Sequence, residues 1–291
     1  MANLKEIKNR ITSISSTMQI TSAMKMVSAA KLKRATDAIT QMRPYAEKLQ
    51  EILGNLSASL DLSENAFSEQ REVKTAYIVA ISSNRGLCGG FNNNIVKKVN
   101  ILLGEEFAGY DTKVITIGKK VNDAFKRSDA NYRPDGIGAP EDMFNDLSFA
   151  RASIIAEFLM SEFKAGKVDK VVVIYNKFKN AAVQEVMNEQ MLPIVSNVEE
   201  GSAAAGDYIF EPSKSEIVVD LIPKSLKIQL FKALLDSQAS EHGARMTAMH
   251  KATDNAGDMK KSLTLQYNKA RQASITNEIL EIVGGAEALN G

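Results

Sequence analysis

Tryptophan is absent from the 291-residue sequence, and cysteine occurs once, as Cys88. A single cysteine excludes a disulfide framework and any paired-cysteine metal or redox site. No run of 18 apolar residues occurs, so we expect no membrane-spanning helix. The first residues lack the apolar core of a signal peptide, and patterned sequence starts at Leu4, so we expect no cleaved presequence. With 44% hydrophobic and 24% charged residues, the composition is that of a soluble globular protein.

Groups that carry out catalysis are also scarce. The two histidines are His242 and His250, eight residues apart. His250 and Asp254 have the i, i+4 spacing of metal ligands, but two ligands do not make a site. No nucleophile–base arrangement stands out. The sequence therefore predicts no catalytic residues, no bound metal and no cofactor.

A glycine-rich segment follows the first strand-like stretch, at residues 82–90. It lacks the Gly-Lys-Ser/Thr sequence of a nucleotide-binding P-loop. A phosphoryl-transfer loop built on Cys88 would need an arginine six residues later, where this chain has Asn94. We interpret the segment as a tight strand-to-helix turn that needs unusual backbone angles.

The first 60 residues carry the pattern of a long helix. Stepping alternately by three and four residues from Leu4 to Leu60, fourteen of 17 positions are apolar, which is typical of a coiled-coil seam. The exceptions fall together, namely Thr21, Lys25 and Ser28. Apolar residues lie on another face there, namely Met24, Met26 and Val27. We therefore expect the seam to shift phase at this point, and Pro44 to bend the helix or remove one hydrogen bond.

The middle of the chain changes pattern. Residues 61–73 are turn-like and form a plausible linker, and short Val- and Ile-rich runs follow at 76–81, 114–117 and 171–175, with a weaker one at 183–192. Helical segments near 92–103, 119–127 and 145–164 lie between the first three runs. Strands that alternate with helices predict a small parallel or mixed sheet. We expect an α/β globular domain at 74–195, between a helix at 1–60 and a helix at 212–291.

The C-terminal third returns to helix. A capping box follows Pro212, and Pro223 is expected to kink or divide the segment. Apolar and small residues then recur along the chain, at Leu226, Leu230, Leu234, Ala244, Ala248, Met259, Leu263, Ala270 and Ala273. Near the end they lie almost all the way round the helix, at Ile279, Leu280, Ile282 and Val283. Such a tip would leave apolar surface in water unless a partner encloses it.

These patterns predict an α/β fold with long helices. The N- and C-terminal helices form an antiparallel coiled coil, and a Rossmann-like α/β domain is inserted between them. Residues 1–50 hold nine Lys or Arg against three acidic residues, a net charge of +6. This excess indicates either a solvated helix face or a surface that meets an acidic partner. Nothing in the pattern supports nucleic-acid binding.

Five segments are more specific than any periodicity. They are residues 20–32, 82–94, 252–257, 265–276 and 281–286, and in this order they closely resemble the gamma subunit of F-type ATP synthases. The resemblance covers the whole chain. It implies a central rotor stalk that turns inside a hexamer of alpha and beta subunits and couples transmembrane proton flow to ATP synthesis, or hydrolysis in reverse. It also implies a non-catalytic subunit, with the epsilon subunit and the membrane c-ring as further partners.

The same resemblance implies partner contacts for particular residues. Positions in the shaft that face a beta subunit are matched by Met24, Lys25, Arg271 and Gln272. The tip, seated in an apolar bearing, is matched by Ile279, Ile282 and Leu289. The foot on the rotor ring is matched by Tyr208 and Phe210. The chain lacks the thiol pair of chloroplast members, so the resemblance is to a bacterial subunit, peripheral on the cytoplasmic face of the cell membrane without inserting into it.

Two other classes of protein fit parts of the pattern. An enzyme that binds a nucleotide or phosphate near residues 86–90 and dimerises through helical arms predicts tight ligand binding by the isolated chain. A static coiled-coil scaffold predicts that a covalent bond to a neighbouring subunit leaves turnover unchanged, whereas it stops a rotor.

Overall fold

The fold is described from a computed structural model, for residues 4–59, 66–139, 141–194 and 214–290. The chain forms two compact units: Met1–Ser28 with Met246–Gly291, and Ala29–Arg245. The predicted domain limits at residues 60, 195 and 212, and the predicted capping box after Pro212, lie outside the described residues.

The secondary structure follows the predicted order. The helices are α1 (Leu4–Ser59), α2 (Phe91–Gly104), α3 (Lys119–Phe125), α4 (Phe149–Lys164) and α5 (Lys214–Asn290). The strands are β1 (Thr75–Ile81), β2 (Asp111–Ile117), β3 (Lys170–Phe178) and β4 (Gln184–Leu192). Pro44 lies inside α1 and Pro223 inside α5. Pro223 does not divide its segment, since α5 is one continuous helix.

The four strands form one mixed sheet in the order β2-β1-β3-β4. β1 pairs in parallel with β2 and β3, while β4 runs antiparallel to β3. Because successive side chains of a strand point to opposite faces, β1 supplies two separate cores. The predicted α/β domain with a small sheet is thereby confirmed.

Each face of the sheet is covered by helices. On one face, Tyr77, Val79 and Ile81 of β1 pack in a cluster with residues of α4 and with Leu226 and Leu230 of α5. On the other face, alternate residues of β1 pack with residues of α2 and α3. A helix face that buries leucines against a sheet explains the repeat seen in the first part of α5.

Within the same unit α1 and α5 also pack on each other. Ala35 and Ile39 of α1 are buried in a cluster with Leu235 and Ala239 of α5. The small residues of this cluster allow the two backbones to approach closely. No helix among the described residues has the length and apolarity needed to cross a membrane.

Candidate partner-binding surfaces

In the unit formed by the two chain ends, α1 and α5 run antiparallel. Side-chain contacts between them in the described residues include Ser15 Oγ with Lys260 Nζ at 3.2 Å, Thr21 Oγ1 with Thr253 Oγ1 at 2.8 Å, and Lys25 Nζ with His250 Nδ1 at 3.4 Å. The residue numbers of each pair add to 274 or 275, the constant sum that antiparallel pairing requires. The predicted coiled coil is therefore present in this unit.

The predicted phase shift of the α1 seam is wrong. Thr21 and Ser28 are buried, whereas Met26 is 64% and Val27 57% exposed. The seam keeps the same phase through Thr21 and Ser28 because the hydroxyl groups of both residues are hydrogen-bonded. Thr21 Oγ1 donates to the Met18 carbonyl while it also contacts Thr253, and Ser28 Oγ donates to the Met24 carbonyl at 2.7 Å. A hydrogen-bonded hydroxyl can be buried at little cost.

The contacting side of α5 keeps the same spacing up to Ser274. Its buried or half-buried residues include Met249, Thr253, Ala256, Lys260, Leu263, Tyr267, Ala270 and Ser274. Met259, part of the predicted repeat, is instead 57% exposed, and Leu265 is 65% exposed. Both point away from α1, so the helix pair carries apolar side chains on its outer surface.

Beyond Ser274 the burial stops. Residues 275–287 are all exposed. Since the paired residue numbers add to about 274, the first described residue of α1, Leu4, lies opposite residue 270 or 271, and α5 extends beyond it as a single helix. The exposed fractions are 54% for Ile279, 63% for Leu280, 71% for Ile282 and 54% for Val283. The prediction that apolar residues at the tip stay in water in this chain is confirmed for these four residues.

The other predicted contact residues are spread over this unit. Arg271 and Gln272 are exposed at the start of the overhang, and neither side chain bonds to another described residue. Met24 and Lys25 are half-buried. Leu289 lies in α5, but its side chain is outside what the structure describes. Tyr208 and Phe210 lie outside the described residues.

In the α/β unit, the glycine-rich turn uses its own polar groups. Ser83 Oγ donates to the Arg85 carbonyl at 2.6 Å, and the Ser83 amide donates to Asn92 Oδ1 at 2.9 Å. Leu87 and Gly89 have φ of 64° and 60°. The prediction of a tight turn with unusual backbone angles is confirmed.

The structure also locates the cysteine and the histidine that the sequence raised as candidates for catalysis or metal binding. Cys88 is 2% exposed, and burial raises the pKa of its thiol above the usual value, which disfavours the reactive thiolate. His250 Nδ1 lies 3.4 Å from Asp254 Oδ2, yet no group of three possible metal ligands occurs among the residues described. A cavity of about 250 Å³, lined by Ile115, Tyr132, Met143 and neighbours, contains no residue of the turn.

A buried ion pair was missed by the sequence analysis. Glu241 and Arg245 of α5 are joined at 2.7 Å, with side chains only 11% and 10% exposed. Burial raises the pKa of the Glu241 carboxyl, and the charge of Arg245 opposes that rise. The i, i+4 spacing of the two residues was visible in the sequence. Such spacing is common on solvated helix faces, so it gave no sign of burial.

Comparison with known proteins agrees with this architecture. The sequence model of a family described as ATP synthase matches residues 3–289. The ATP synthase gamma chain of Flavobacterium johnsoniae is 61% identical over 292 aligned residues, and that of Cytophaga hutchinsonii is 54% identical over 300. Both alignments cover all of this chain and all of the relative.

Solved structures give the same result for the fold. A chain of the central stalk and c-ring of Tetrahymena thermophila mitochondrial ATP synthase has a TM-score of 0.57 at 27% identity, covering 80% of this chain and 99% of that one. A chain from Euglena gracilis mitochondrial ATP synthase has a TM-score of 0.67 at 23% identity, covering 98% and 94%. On its full-length sequence match and its fold, the chain belongs to the ATP synthase gamma chain family, in its bacterial form.

Proposed function

We propose that this chain is the rotating central stalk of a bacterial ATP synthase, coupling transmembrane proton flow to ATP synthesis and ATP hydrolysis to the reverse flow. Its partners are the alpha and beta subunits of the catalytic hexamer, the epsilon subunit and the membrane c-ring. The chain carries no catalytic residue of its own. It lies at the cytoplasmic face of the cell membrane as a peripheral subunit.

The observation that carries this proposal is the apolar overhang of α5. Fully burying an isoleucine or leucine side chain contributes roughly 1.5–3 kcal/mol. Ile279, Leu280, Ile282 and Val283 are each more than half exposed, so enclosing them in an apolar sleeve gains several kcal/mol. A protein that worked as a monomer would keep these side chains in water and would not gain this free energy of burial.

The mechanism follows from asymmetry. Chemically identical beta subunits hold different nucleotide affinities only if something contacts them unequally. A single stalk inside the ring does this, and each rotation step changes which subunit is held open or closed. The free energy of a step is the difference in contact energy between stalk and ring, so no residue of the stalk needs to touch ATP.

Different residues of the chain make the contacts with the beta subunits, the bearing and the c-ring. The exposed side chains of Arg271 and Gln272, which make no bond to a described residue, meet polar or charged groups of a beta subunit. Met24 and Lys25 also contact a beta subunit, where the Lys25 ammonium group meets carboxylates. The bearing holds Ile279, Ile282 and Leu289, and the foot on the c-ring is formed by Tyr208 and Phe210.

A pair of double variants tests the tip. Ile279→Ser with Ile282→Ser replaces exposed apolar residues of the overhang, and Ile101→Ser with Ile154→Ser replaces residues of the α/β unit that are 48% and 49% exposed. Each variant is expressed with the remaining subunits and purified through a tagged beta subunit. We expect the tip variant to be recovered in reduced amount with lowered ATP-driven proton pumping, and the control to match wild type. Equal recovery and pumping in both would refute the role of the tip.

A second experiment separates a rotor from a scaffold and from an enzyme. Gln272→Cys is joined by a disulfide to a cysteine placed in one beta subunit, while the buried Cys88 stays protected. A rotor stops until a reductant is added, whereas a scaffold keeps turning over ATP. The isolated chain is expected to show no ATP hydrolysis, and hydrolysis or tight nucleotide binding by the chain alone would favour the enzyme.

A further inference from the structure

A short stretch of α5 in the α/β unit is fastened to the sheet by polar contacts. Asp236 Oδ1 accepts a hydrogen bond from the Phe178 amide at 3.4 Å, at the end of β3. One turn later, Ser240 Oγ donates to the Asn176 carbonyl at 2.9 Å. At Gly243 the backbone approach is so close that a Cβ would lie 3.2 Å from the Ala181 Cα. Successive turns of the helix are thus held at fixed points.

Arg245 ends this row of contacts. Its Nη2 donates to the carbonyls of Arg85 and Gly86 at 3.3 and 3.4 Å, and its Nη1 lies 2.7 Å from Glu241 Oε1. The guanidinium group is planar and its donors have fixed directions, so these bonds hold only at one rotation of α5 about its own axis. The nearby apolar contacts of α5 are not directional, so they specify this rotation less strictly.

The turn whose carbonyl groups accept hydrogen bonds from Arg245 is itself under strain. Leu87, directly after Gly86, has φ of 64°, which costs free energy for a residue with a Cβ. Such a conformation persists only where its surroundings hold it. Arg245 helps to stabilise this conformation, and so does the buried contact of Cys88 and Phe91 with Ala244.

We propose that Arg245, oriented by Glu241, is the positioning residue of a joint that prevents this part of α5 from rotating about its own axis relative to the sheet when torque is applied. This inference rests on the proposed stalk function, because only a chain that transmits torque needs such a joint. Arg245 is the last residue of its unit, and α5 continues from it into the helix pair.

If Arg245 forms such a joint, replacing it should reduce proton pumping more strongly as the opposing proton gradient rises. We compare wild type with Arg245→Met, which keeps the length of the side chain but removes its donors, and with Arg245→Lys, which keeps one charged donor. Lys224→Met removes an exposed cation from the same helix as a control. ATP hydrolysis is measured in the complex without the membrane ring, and protons pumped per ATP are measured with the whole enzyme in vesicles at rising opposing gradients.

For Arg245→Met we expect load-free hydrolysis within about twofold of wild type, but about tenfold fewer protons pumped per ATP at the highest gradient. Arg245→Lys should recover part of the loss, and Lys224→Met should match wild type. A purely structural role would lower hydrolysis and pumping in parallel. That parallel loss, or an unchanged proton-to-ATP ratio in Arg245→Met, would overturn the proposal.

A covalent bond offers an independent test. Ala244→Cys places a second thiol against Cys88, which is packed in the same buried cluster. In the Arg245→Met background, oxidation to a disulfide removes two electrons and two protons, taken up by an added oxidised thiol reagent such as oxidised glutathione, and should restore pumping under load. Reductant should remove the effect, and Ala244→Ser should show none. A formed disulfide without recovery contradicts the joint.

Different results would contradict the stalk function and the Arg245 joint. If wild type does not assemble with the alpha and beta subunits or does not pump protons, the stalk function itself is wrong. If wild type pumps normally and Arg245→Met pumps equally well against every gradient, only the joint is wrong.

Discussion

Gly118 is the position where a single added methyl group should do the most damage to the α/β unit. It joins β2 to α3 with φ of 97°, and a Cβ there would lie 2.1 Å from the Ser82 carbonyl oxygen. Ser82 has little freedom to retreat. Its amide donates to the Ile117 carbonyl at 2.8 Å, and its Oγ accepts from the Val121 amide at 2.9 Å.

The cost of Gly118→Ala has two parts. A residue with a Cβ at positive φ costs about 1–2 kcal/mol. Displacing Ser82 breaks at least one buried hydrogen bond, which costs about 1–3 kcal/mol more. The total, roughly 2–5 kcal/mol, is a large share of a typical stability of about 5–15 kcal/mol. Gly109→Ala is the matched control, since Gly109 has φ of 92° but open space where a Cβ would go.

The buried thiol of Cys88 reports opening of this unit. It is 2% exposed and is the only cysteine of the chain. At low concentrations of a thiol reagent, the labelling rate follows the population of the open form. Because each 1.4 kcal/mol is a factor of ten, Gly109→Ala should label about tenfold faster than wild type, and Gly118→Ala from about thirtyfold to several thousandfold faster. Equal rates for the two variants would refute the steric part of the reasoning.

Three further predictions concern stability. Burial and the charge of Arg245 lower the pKa of His242 to about 4. Between pH 6.5 and pH 4, His242 is therefore protonated in the unfolded chain but neutral in the folded chain. Wild type should therefore lose about 2 kcal/mol relative to His242→Gln between pH 7 and pH 5 in urea titrations, and identical pH dependence would contradict this. Thr253→Val removes the contact with Thr21, which keeps its bond to a backbone carbonyl, so a loss of about 1 kcal/mol is expected by thermal unfolding; a gain would show that the contact is unimportant. Gly257→Ala, in open space within α5, should stabilise the chain by about 1 kcal/mol in the same assay, and a loss would show hidden crowding.

Features with a short sequence period were predictable. The β1 run at 76–81 and the β3 run at 171–175 lie inside strands buried on both faces, so they read as continuous apolar stretches. The seam of α1 was visible because one side of a paired helix repeats every three to four residues. The apolar tip was also visible, since residues all round a helix cannot be covered by a single partner helix.

Features that depend on distant contacts were not predictable. Arg245 meets the carbonyls of Arg85 and Gly86, about 160 positions away, and no periodicity marks such a pair. The phase shift expected near Thr21 was wrong because apolarity alone was counted. Hydroxyl groups that bond to their own helix can occupy a seam as well as methyl groups do.

The polar part of the seam also decides how far the tip reaches. A coiled-coil seam of apolar residues tolerates a slip of one heptad, because apolar residues would again face apolar residues. A slip of seven would instead put Met246 or Lys260 opposite Thr21 in place of Thr253, and the hydroxyl pair would be lost. Each such slip would lengthen or shorten the overhang of α5 by about 10 Å. The hydrogen-bonded threonines, which look like a defect in the repeat, therefore favour the register that leaves residues 275–287 exposed for a partner.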